Sequence, residues 1–267
     1  MIAEHAPISG RTSLLVIVAD PVEQARSPSL VNAALVARGR DAVMVAFHVK
    51  AGDLARVIEG LRAVHGFKGG IVSMPHKSAV VGLLDDVMPE GRQVGACNVI
   101  RRDPAGRLVG TMFDGEGFVA GLRGAGHDVA GKRVFLAGAG GAASGIAFAM
   151  GKHGAAALTI HNRTAAKAQT LAARVRTAWP ALSVAAGGPD PTGHDVVVNA
   201  TSLGMRAGDP LPFDVAGLAP GMLAAEIVIH PTVTPLLAEA AKRGCALQHG
   251  EPMLAAQIDL MIDFMLP

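Results

Sequence analysis

The chain has 267 residues, of which 50% are hydrophobic and 17% are charged, and its formal net charge is +2. This composition supplies a sizeable apolar core for one large or two modest domains, and it excludes a disordered chain. Because the basic residues are scattered and only 3% of the residues are aromatic, the sequence predicts no nucleic-acid binding.

Two features predict a protein of a reducing, cytoplasmic compartment. Cys97 and Cys245 lie far apart and belong to no paired motif, which is typical of free thiols. The N-terminal stretch MIAEHAPISGR does not have the charged start and apolar run of a secretory signal. The uncharged run at 134–151 has the length of a membrane span, but its glycines favour a strand, a tight turn and a helix start. We therefore expect no membrane partner.

The first half of the chain alternates strands and helices. The apolar runs LLVIVAD and AVMVAFHV are typical of strands, and SPSLVNAALVARG between them has helical spacing. DLARVIEGLRAVHG predicts a second helix and GGIVSM a third strand. This order predicts a parallel sheet covered by helices. It is followed by a hairpin in GACNVIRRDPAGRLVGTM, which turns at DPAG.

The second half restarts the alternation after a boundary near Asp114. KRVFLAG, ALTIHNR, LSVAA and DVVVNAT are apolar enough to be strands buried on both faces of a parallel sheet. TAAKAQTLAARVRTAW, TPLLAEAAKRG and the terminal PMLAAQIDLMIDFM predict helices. The predicted fold class is therefore α/β, with two domains.

A glycine-rich turn joins a strand to a helix in VFLAGAGGAASGIA, which contains the pattern Gly138-x-Gly140-x-x-Ala143. The first glycine permits the tight turn, the second lets backbone approach a pyrophosphate, and the small third residue lets helix and strand pack closely. The N–H groups of the helix start then face the phosphates. We expect a dinucleotide here rather than an empty turn. The expected contacts are Gly138, Ala139, Gly140, Gly141 and Ala142.

The end of the next strand indicates which dinucleotide binds. An NAD site carries an acidic residue there for the ribose 2′-hydroxyl, whereas TIHNRTAAKA carries none. Asn162, Arg163 and Thr164 stand at this position, with Lys167 one helical turn further on. An arginine forks onto a 2′-phosphate and stacks on adenine, so the pattern predicts NADP with Arg163 as the main contact. For Lys167, a phosphate contact and a solvated helix charge are equally good interpretations.

Nine segments resemble, in chain order, the shikimate dehydrogenase family. They are SPSLVN, VSMPHK, GACN, FDGEGF, GAGGAA, NRT, NATSLGM, PTVTPLL and GEPMLAAQ. The resemblance runs through the whole chain, and nine motifs in the right order are far more specific than any one of them. It implies an NADP-dependent oxidoreductase that moves a hydride between nicotinamide and a ring carbon bearing a hydroxyl or a ketone.

The same resemblance implies a division of labour between the domains. Residues 1–113, completed by the C-terminal helix at 251–267, correspond to a substrate-binding catalytic domain with a parallel sheet. Residues 114–250 correspond to an NADP-binding, doubly wound Rossmann domain with a six-stranded parallel sheet. No His/Cys cluster has ligand spacing, so we expect no metal. Whether the protein is a monomer or a homodimer stays open.

The proton-transfer residues of the family match Lys77 and Asp114. The reacting oxygen needs a proton partner in the transition state, and a lysine serves if a carboxylate manages its charge. The resemblance implies Lys77 as the acid/base and Asp114 as its orienting partner, although the two can share the proton. A surface lysine that opens a helix and an aspartate that caps one are the structural alternatives. His76, in the same motif, is expected to be structural.

Further contacts follow from the resemblance one residue at a time. Hydroxyls and amides that bind the ring hydroxyls or the carboxylate match Ser27, Ser73, Asn98 and Gln257. The loops NATSLGM and GEPMLAAQ imply cofactor contacts at Thr201, Gly204, Met205 and Gly250, with Asn199 and Ser202 bracing the turn. Helix capping by Ser27 and an exposed helix position for Gln257 are the structural alternatives.

Five positions depart from the polar pattern of the family. Ala25 stands where a second serine is usual for the substrate carboxylate, and Ile229 stands where a tyrosine is usual. Val99, Met112 and Phe113 also replace polar residues, which suggests several missing contacts on the substrate side.

These departures leave the substrate open. We expect either shikimate, handled poorly, or a relative such as quinate, dehydroquinate or an amino-substituted ring acid. An NADP-binding module without turnover is the competing class, although it would need neither Lys77 nor Asp114. A folate-type dehydrogenase is a third interpretation, to which NRT and GEPMLAAQ are poorly suited.

Overall fold

The structure is a computed structural model that describes residues 8–23 and 25–267. Residues 1–7, which form most of the stretch used to predict the absence of a signal segment, lie outside the described residues. The chain divides into two compact units, one of Met1–Phe113 with Gln257–Pro267 and one of Asp114–Ala256. Within the described part of the chain, no helix is long and apolar enough to cross a membrane.

The described residues form twelve strands and eight α-helices. The strands are β1 Ser13–Ala19, β2 Ala42–His48, β3 Phe67–Val72, β4 Asp86–Val87, β5 Val99–Arg102, β6 Leu108–Thr111, β7 Arg133–Ala137, β8 Ala157–His161, β9 Ser183–Ala186, β10 Val196–Asn199, β11 Leu223–Glu226 and β12 Ala246–Gln248. The helices are α1 Ser27–Ala37, α2 Leu54–Ala63, α3 Pro89–Val94, α4 Asp114–Gly124, α5 Gly141–Lys152, α6 Ala165–Ala178, α7 Pro235–Lys242 and α8 Glu251–Met265.

The sheet of the first unit has the strand order β2–β1–β3–β5–β6–β4. Strand β1 pairs in parallel with β2 and β3, as the crossover helices α1 and α2 require. Strand β5 runs antiparallel to both β3 and β6, and the Asp103 side chain accepts the N–H groups of Ala105 and Arg107 in the turn between β5 and β6. The predicted βαβαβ order and hairpin are both present, and the hairpin makes this sheet mixed.

The core of the first unit forms where the apolar strands meet the helices. Val16, Ile58, Phe67 and Ile100 are almost fully buried in one cluster. Burial of side chains of this size contributes about 1.5–3 kcal/mol each. At the end of α1, the Arg38 guanidinium bonds Asp259 and Asp263 on α8, which fixes the last turns of α8 to this unit.

The sheet of the second unit has six strands in the order β12–β11–β10–β7–β8–β9, and every pairing is parallel. This confirms the predicted doubly wound sheet. Strands β11 and β12, of four and three residues, were not among the segments named from sequence. The strand order reverses between β7 and β10, so the loops that follow these neighbours meet at one edge of the sheet.

The division between the units falls inside α8, at Gln257. The first turn of α8 belongs to the second unit, where it lies so close to α4 that a Cβ on Gly121 would come within 2.9 Å of the Met253 nitrogen. The later turns carry the buried Met261, Ile262 and Met265 and belong to the first unit.

Candidate active site

The glycine loop lies between β7 and α5. Gly138 has a φ of +125°, and a Cβ there would lie 2.6 Å from the carbonyl oxygen of Ala200, so only glycine fits. Gly140 precedes the helix, and a Cβ at this position would meet nothing within 4 Å. Because glycine brings no capping side chain, the first N–H groups of α5 are available to an anion. Ala143 is completely buried, as close packing of helix and strand requires.

The turn after β8 lies beside the glycine loop, because β8 is the parallel neighbour of β7. The Asn162 side-chain amide donates to the Thr164 carbonyl at 3.0 Å and closes this turn at the start of α6. Arg163 and Lys167 are both exposed. The turn therefore presents cations and no carboxylate where an adenosine ribose would lie. Both interpretations of Lys167 remain compatible with its exposure.

The loop after β10 is braced from within by Asn199, which is fully buried. Its side-chain oxygen accepts the Thr201 N–H at 3.0 Å and the Thr201 hydroxyl at 2.7 Å. Its amide nitrogen donates to the Leu203 carbonyl at 2.9 Å. The loop then turns at Gly204, whose φ is +99°. Met205 follows, half-buried, so the positions predicted to face the cofactor lie on a tightly defined turn.

A buried carboxylate that sequence analysis missed lies beneath this loop. Glu226, the last residue of β11, is completely buried, and its two oxygens accept four hydrogen bonds. Burial raises the pKa of Glu226 to about 7, although the hydrogen bonds from Val228, Asn199, Thr234 and Ile227 oppose this shift. The only sequence signal was one acidic residue at the end of the apolar strand LAAE.

Gly250, the other predicted cofactor position, lies just before α8. It is buried, and a Cβ there would lie 2.4 Å from the Val228 carbonyl oxygen. A close backbone approach therefore requires this glycine, whatever its relation to a cofactor.

Asp114 begins α4 and is 3% exposed. The next residue, Gly115, lets α4 pack directly on α5, since a Cβ there would lie 2.3 Å from the Gly145 carbonyl oxygen. One residue further, Glu116 pairs with Lys152 at 2.9 Å and with His153 at 3.1 Å. These contacts hold the Asp114 backbone in a fixed place relative to the helix that begins at the glycine loop.

In the first unit, Lys77 lies in the turn that follows β3, before a 3-10 helix at Ala79–Leu83. Lys77 therefore does not begin an α-helix, because it lies within a turn that leads into the 3-10 helix. Its side chain is half-buried, and its carbonyl accepts the Cys97 N–H at 2.8 Å. His76 is 1% exposed, and its Nε2 lies 2.7 Å from the Val49 carbonyl oxygen, so its role is structural.

The predicted substrate amides form one buried pair. Asn98 donates to the Gln257 side-chain oxygen at 2.8 Å and accepts the Phe113 N–H at 2.9 Å. Asn98 is 1% exposed and Gln257 is 3% exposed, so the alternative of an exposed position for Gln257 is wrong. Because Cys97 bonds the Lys77 carbonyl, the chain holds Asn98 next to the lysine turn.

Both predicted serines lie at the ends of elements in the same unit. Ser27 is the first residue of α1 and is 6% exposed, and Ser73 follows β3 and is half-buried. No side-chain bond caps α1 at the preceding residue, Arg26.

The five departures from the family pattern differ in their burial. Val99 and Met112 are 0% and 4% exposed and belong to the apolar core. Phe113 is half-buried and packs edge-on against Phe264, with ring centroids 6.0 Å apart. The remaining two of the five, Ala25 and Ile229, are half-buried at positions outside this core.

The described residues, 8–23 and 25–267, contain no group of three or more His, Cys, Asp or Glu side chains placed to hold a metal ion.

Family models match most of both units. Residues 17–100 match the shikimate dehydrogenase substrate binding domain, and residues 122–203 match shikimate / quinate 5-dehydrogenase. Shikimate dehydrogenase (NADP(+)) of Rubrobacter xylanophilus is 40% identical over 259 residues, which cover 94% of this chain and 89% of that protein. The chain belongs to the shikimate dehydrogenase family.

Solved structures of the family share the fold. Shikimate 5-dehydrogenase of Thermus thermophilus, solved with NADP(H) and shikimate, is 28% identical with a TM-score of 0.85, over 95% of this chain and 93% of that one. The 5-ketofructose reductase of Gluconobacter sp. strain CHM43 is 34% identical with a TM-score of 0.83, over 97% of this chain and 94% of that one. The predicted family and fold class are thereby confirmed.

We expect Glu226 to make stability depend on pH. Its pKa rises from an ordinary 4.5 to about 7 on folding, so its contribution is fully present below about pH 4.5 and is lost as the pH rises through 7. The loss amounts to about 3 kcal/mol. The free energies of unfolding of the wild type and of Glu226→Gln are measured with urea at several pH values. Their difference isolates Glu226, because all other titrating groups contribute equally to both proteins. A difference that does not change between about pH 4.5 and about pH 8 would contradict the shift.

Proposed function

We propose that the chain is an NADP-dependent oxidoreductase that interconverts shikimate, or a related ring hydroxy acid, and its 3-dehydro ketone. The observation that carries this proposal is the 40% identity to an NADP-dependent shikimate dehydrogenase over 94% of the chain, which includes both units. We assign substrate binding to the unit of residues 1–113 with the end of α8, and NADP binding to the unit that begins at Asp114.

The second unit fits NADP by its own geometry. Gly138 admits the close backbone approach, and the start of α5 offers N–H groups to the pyrophosphate. Arg163 is exposed at the neighbouring strand end, where a guanidinium would meet the 2′-phosphate. Bound NADP supplies the hydride acceptor for oxidation and the donor for reduction.

Proton transfer is assigned to Lys77. During oxidation of the alcohol, the hydroxyl proton passes to the neutral amine as the carbonyl forms, and during reduction the ammonium returns it. We assign to Asp114 the role of orienting partner of this amine. The buried pair Asn98 and Gln257 supplies amide groups to the polar substrate in the same unit as Lys77.

A second candidate function is the reduction of a neutral ketose. Ala25 and Ile229 replace the two hydroxyl-bearing residues of the usual pocket, and a substrate without a carboxylate needs neither. The 34% identity to 5-ketofructose reductase favours the same idea. Quinate or an amino-substituted ring acid remains an alternative within the main proposal, and retention of Lys77 and Asp114 disfavours a module without turnover.

We further propose a cytoplasmic enzyme that acts as a monomer or a homodimer. Cys97 and Cys245 are both free and buried, which suits a reducing compartment. Burial raises the pKa of the Cys97 thiol to about 12, so this cysteine is not a candidate nucleophile.

We expect Lys77→Ala to lower kcat by about 10²–10⁴-fold, because a positioned acid/base contributes this much to the transition state. The KM for the ring substrate should change far less. Steady-state kinetics with NADP measure both values, and Lys68→Ala, which removes an exposed lysine of β3, is the matched control. A Lys77→Ala enzyme within a few-fold of wild-type kcat would exclude the catalytic role.

We expect NADP to be preferred over NAD, and Arg163→Ala to remove most of the preference. A charge-assisted contact to phosphate contributes about 1.5–3 kcal/mol, so the ratio of kcat/KM values should change by more than about tenfold. Lys167→Ala tests whether the second cation of the turn also contributes to the preference for NADP. Lys132→Ala, which removes an exposed lysine of the same unit, is the control. Equal kcat/KM for the two cofactors in the wild type would refute the assignment.

We expect the wild type to oxidise shikimate poorly, with a high KM, because two hydrogen bonds that each contribute about 0.5–1.5 kcal/mol are missing at Ala25 and Ile229. Ala25→Ser should lower the KM, whereas Ala33→Ser on the exposed face of α1 should not. Parallel assays with shikimate, quinate and 5-ketofructose rank the two candidate functions. A wild-type kcat/KM for shikimate near about 10⁶ M⁻¹s⁻¹ would show that the missing hydroxyls are immaterial.

A further inference from the structure

We propose that Glu226 is a positioning residue for hydride transfer, which acts by holding the Asn199–Gly204 loop in one conformation. This inference rests on the proposed function, since it assigns that loop to the nicotinamide end of NADP. Glu226 itself is completely buried, so it acts through the loop.

The four hydrogen-bond partners of Glu226 are all donors. One carboxylate oxygen accepts the backbone N–H groups of Ile227 and Val228, each at 2.9 Å. The other accepts the Asn199 amide and the Thr234 hydroxyl, each at 3.0 Å. All four donors are satisfied when the Glu226 carboxylate is ionised, which is its state above its pKa of about 7.

The carboxylate decides which way the Asn199 amide points. Its nitrogen faces Glu226, so its oxygen faces the loop and accepts both the N–H and the hydroxyl of Thr201. The Thr201 oxygen in turn accepts the Leu203 N–H at 3.0 Å. A flipped amide would set an N–H group against the N–H of Thr201, and the chain of bonds would break at its first member.

The same carboxylate joins the loop to α7. Thr234 bonds the Glu226 oxygen that Asn199 uses, and it also caps α7 by accepting the Leu237 N–H at 3.3 Å. A Cβ added to Gly204 would lie 3.3 Å from the Thr234 Cβ, so loop and helix are in close contact. Glu226 thus ties the start of the Asn199–Gly204 loop and the start of α7, which packs against Gly204, to one fixed point in the second unit.

The test compares two variants, Glu226→Gln and Thr234→Val. The valine of the second variant has almost the same shape as the threonine that it replaces. Glutamine keeps the volume but sets an NH₂ group among donors, so Asn199 should lose its orientation. Valine removes one bond to the same oxygen and leaves Asn199 in place. The measurements are kcat, the KM for NADP, the fluorescence of bound NADPH, and the primary isotope effect with 4-deuterated NADPH.

For Glu226→Gln we expect kcat to fall by about 10- to 100-fold, the effect of misplacing reacting groups by about 1 Å. The KM for NADP should stay within about threefold, because the glycine loop and Arg163 are untouched. The isotope effect should rise, and the fluorescence of bound NADPH should return towards that of free NADPH. Thr234→Val removes only the bond between Glu226 and the start of α7, so it should change kcat and the isotope effect in the same direction but by less.

Each outcome bears on one proposal or both. If Glu226→Gln keeps the wild-type kcat, isotope effect and NADPH fluorescence, the inference is wrong while the proposed function stands. If the wild type binds no NADPH, both are wrong. If Glu226→Gln does not fold, Thr201→Val is used instead, because it interrupts the same chain of hydrogen bonds at the residue that follows Asn199 in that chain. If Thr201→Val keeps the wild-type isotope effect and the wild-type NADPH fluorescence, the inference is wrong.

Discussion

The parallel pairing of β7 with β10 is the constraint on which the cofactor side of the molecule depends. It places the ends of two strands that are far apart in sequence side by side, with the Ala200 N–H bonded to the Ala137 carbonyl at 2.8 Å. The backbone of the loop after β10 then lies against Gly138, where no side chain fits. The glycine loop, assigned to the phosphates, and the loop assigned to nicotinamide are therefore neighbours because of the strand order.

Each unit holds one buried polar group that organises the loops around it. In the first unit, the amide of Asn98 is fixed between the Phe113 N–H and the side chain of Gln257. In the second, Glu226 fixes Asn199. Buried polar groups are costly unless they are fully hydrogen-bonded, so each of these clusters favours a single arrangement of its loop. A defined arrangement is what a reaction between two closely placed partners requires.

The five departures from the usual family pattern differ in their burial. Val99 and Met112 lie in the apolar core of the first unit. Ala25 and Ile229 are the half-buried exceptions. The proposed preference for a substrate other than shikimate rests on these two positions.

Sequence alone determined the parts of this protein that local chemistry specifies. Apolar runs revealed the longer strands, DPAG the hairpin, and the glycine pattern the turn before α5, because each depends on neighbouring residues and their backbone preferences. The order of nine motifs identified the family. Only the tertiary structure decided which side chains are buried and which groups they bond. Glu226 looks like an ordinary strand-end carboxylate, Gln257 like an exposed helix residue, and Lys77 like the start of a helix. Their true settings depend on contacts between segments distant in sequence, which no local pattern encodes.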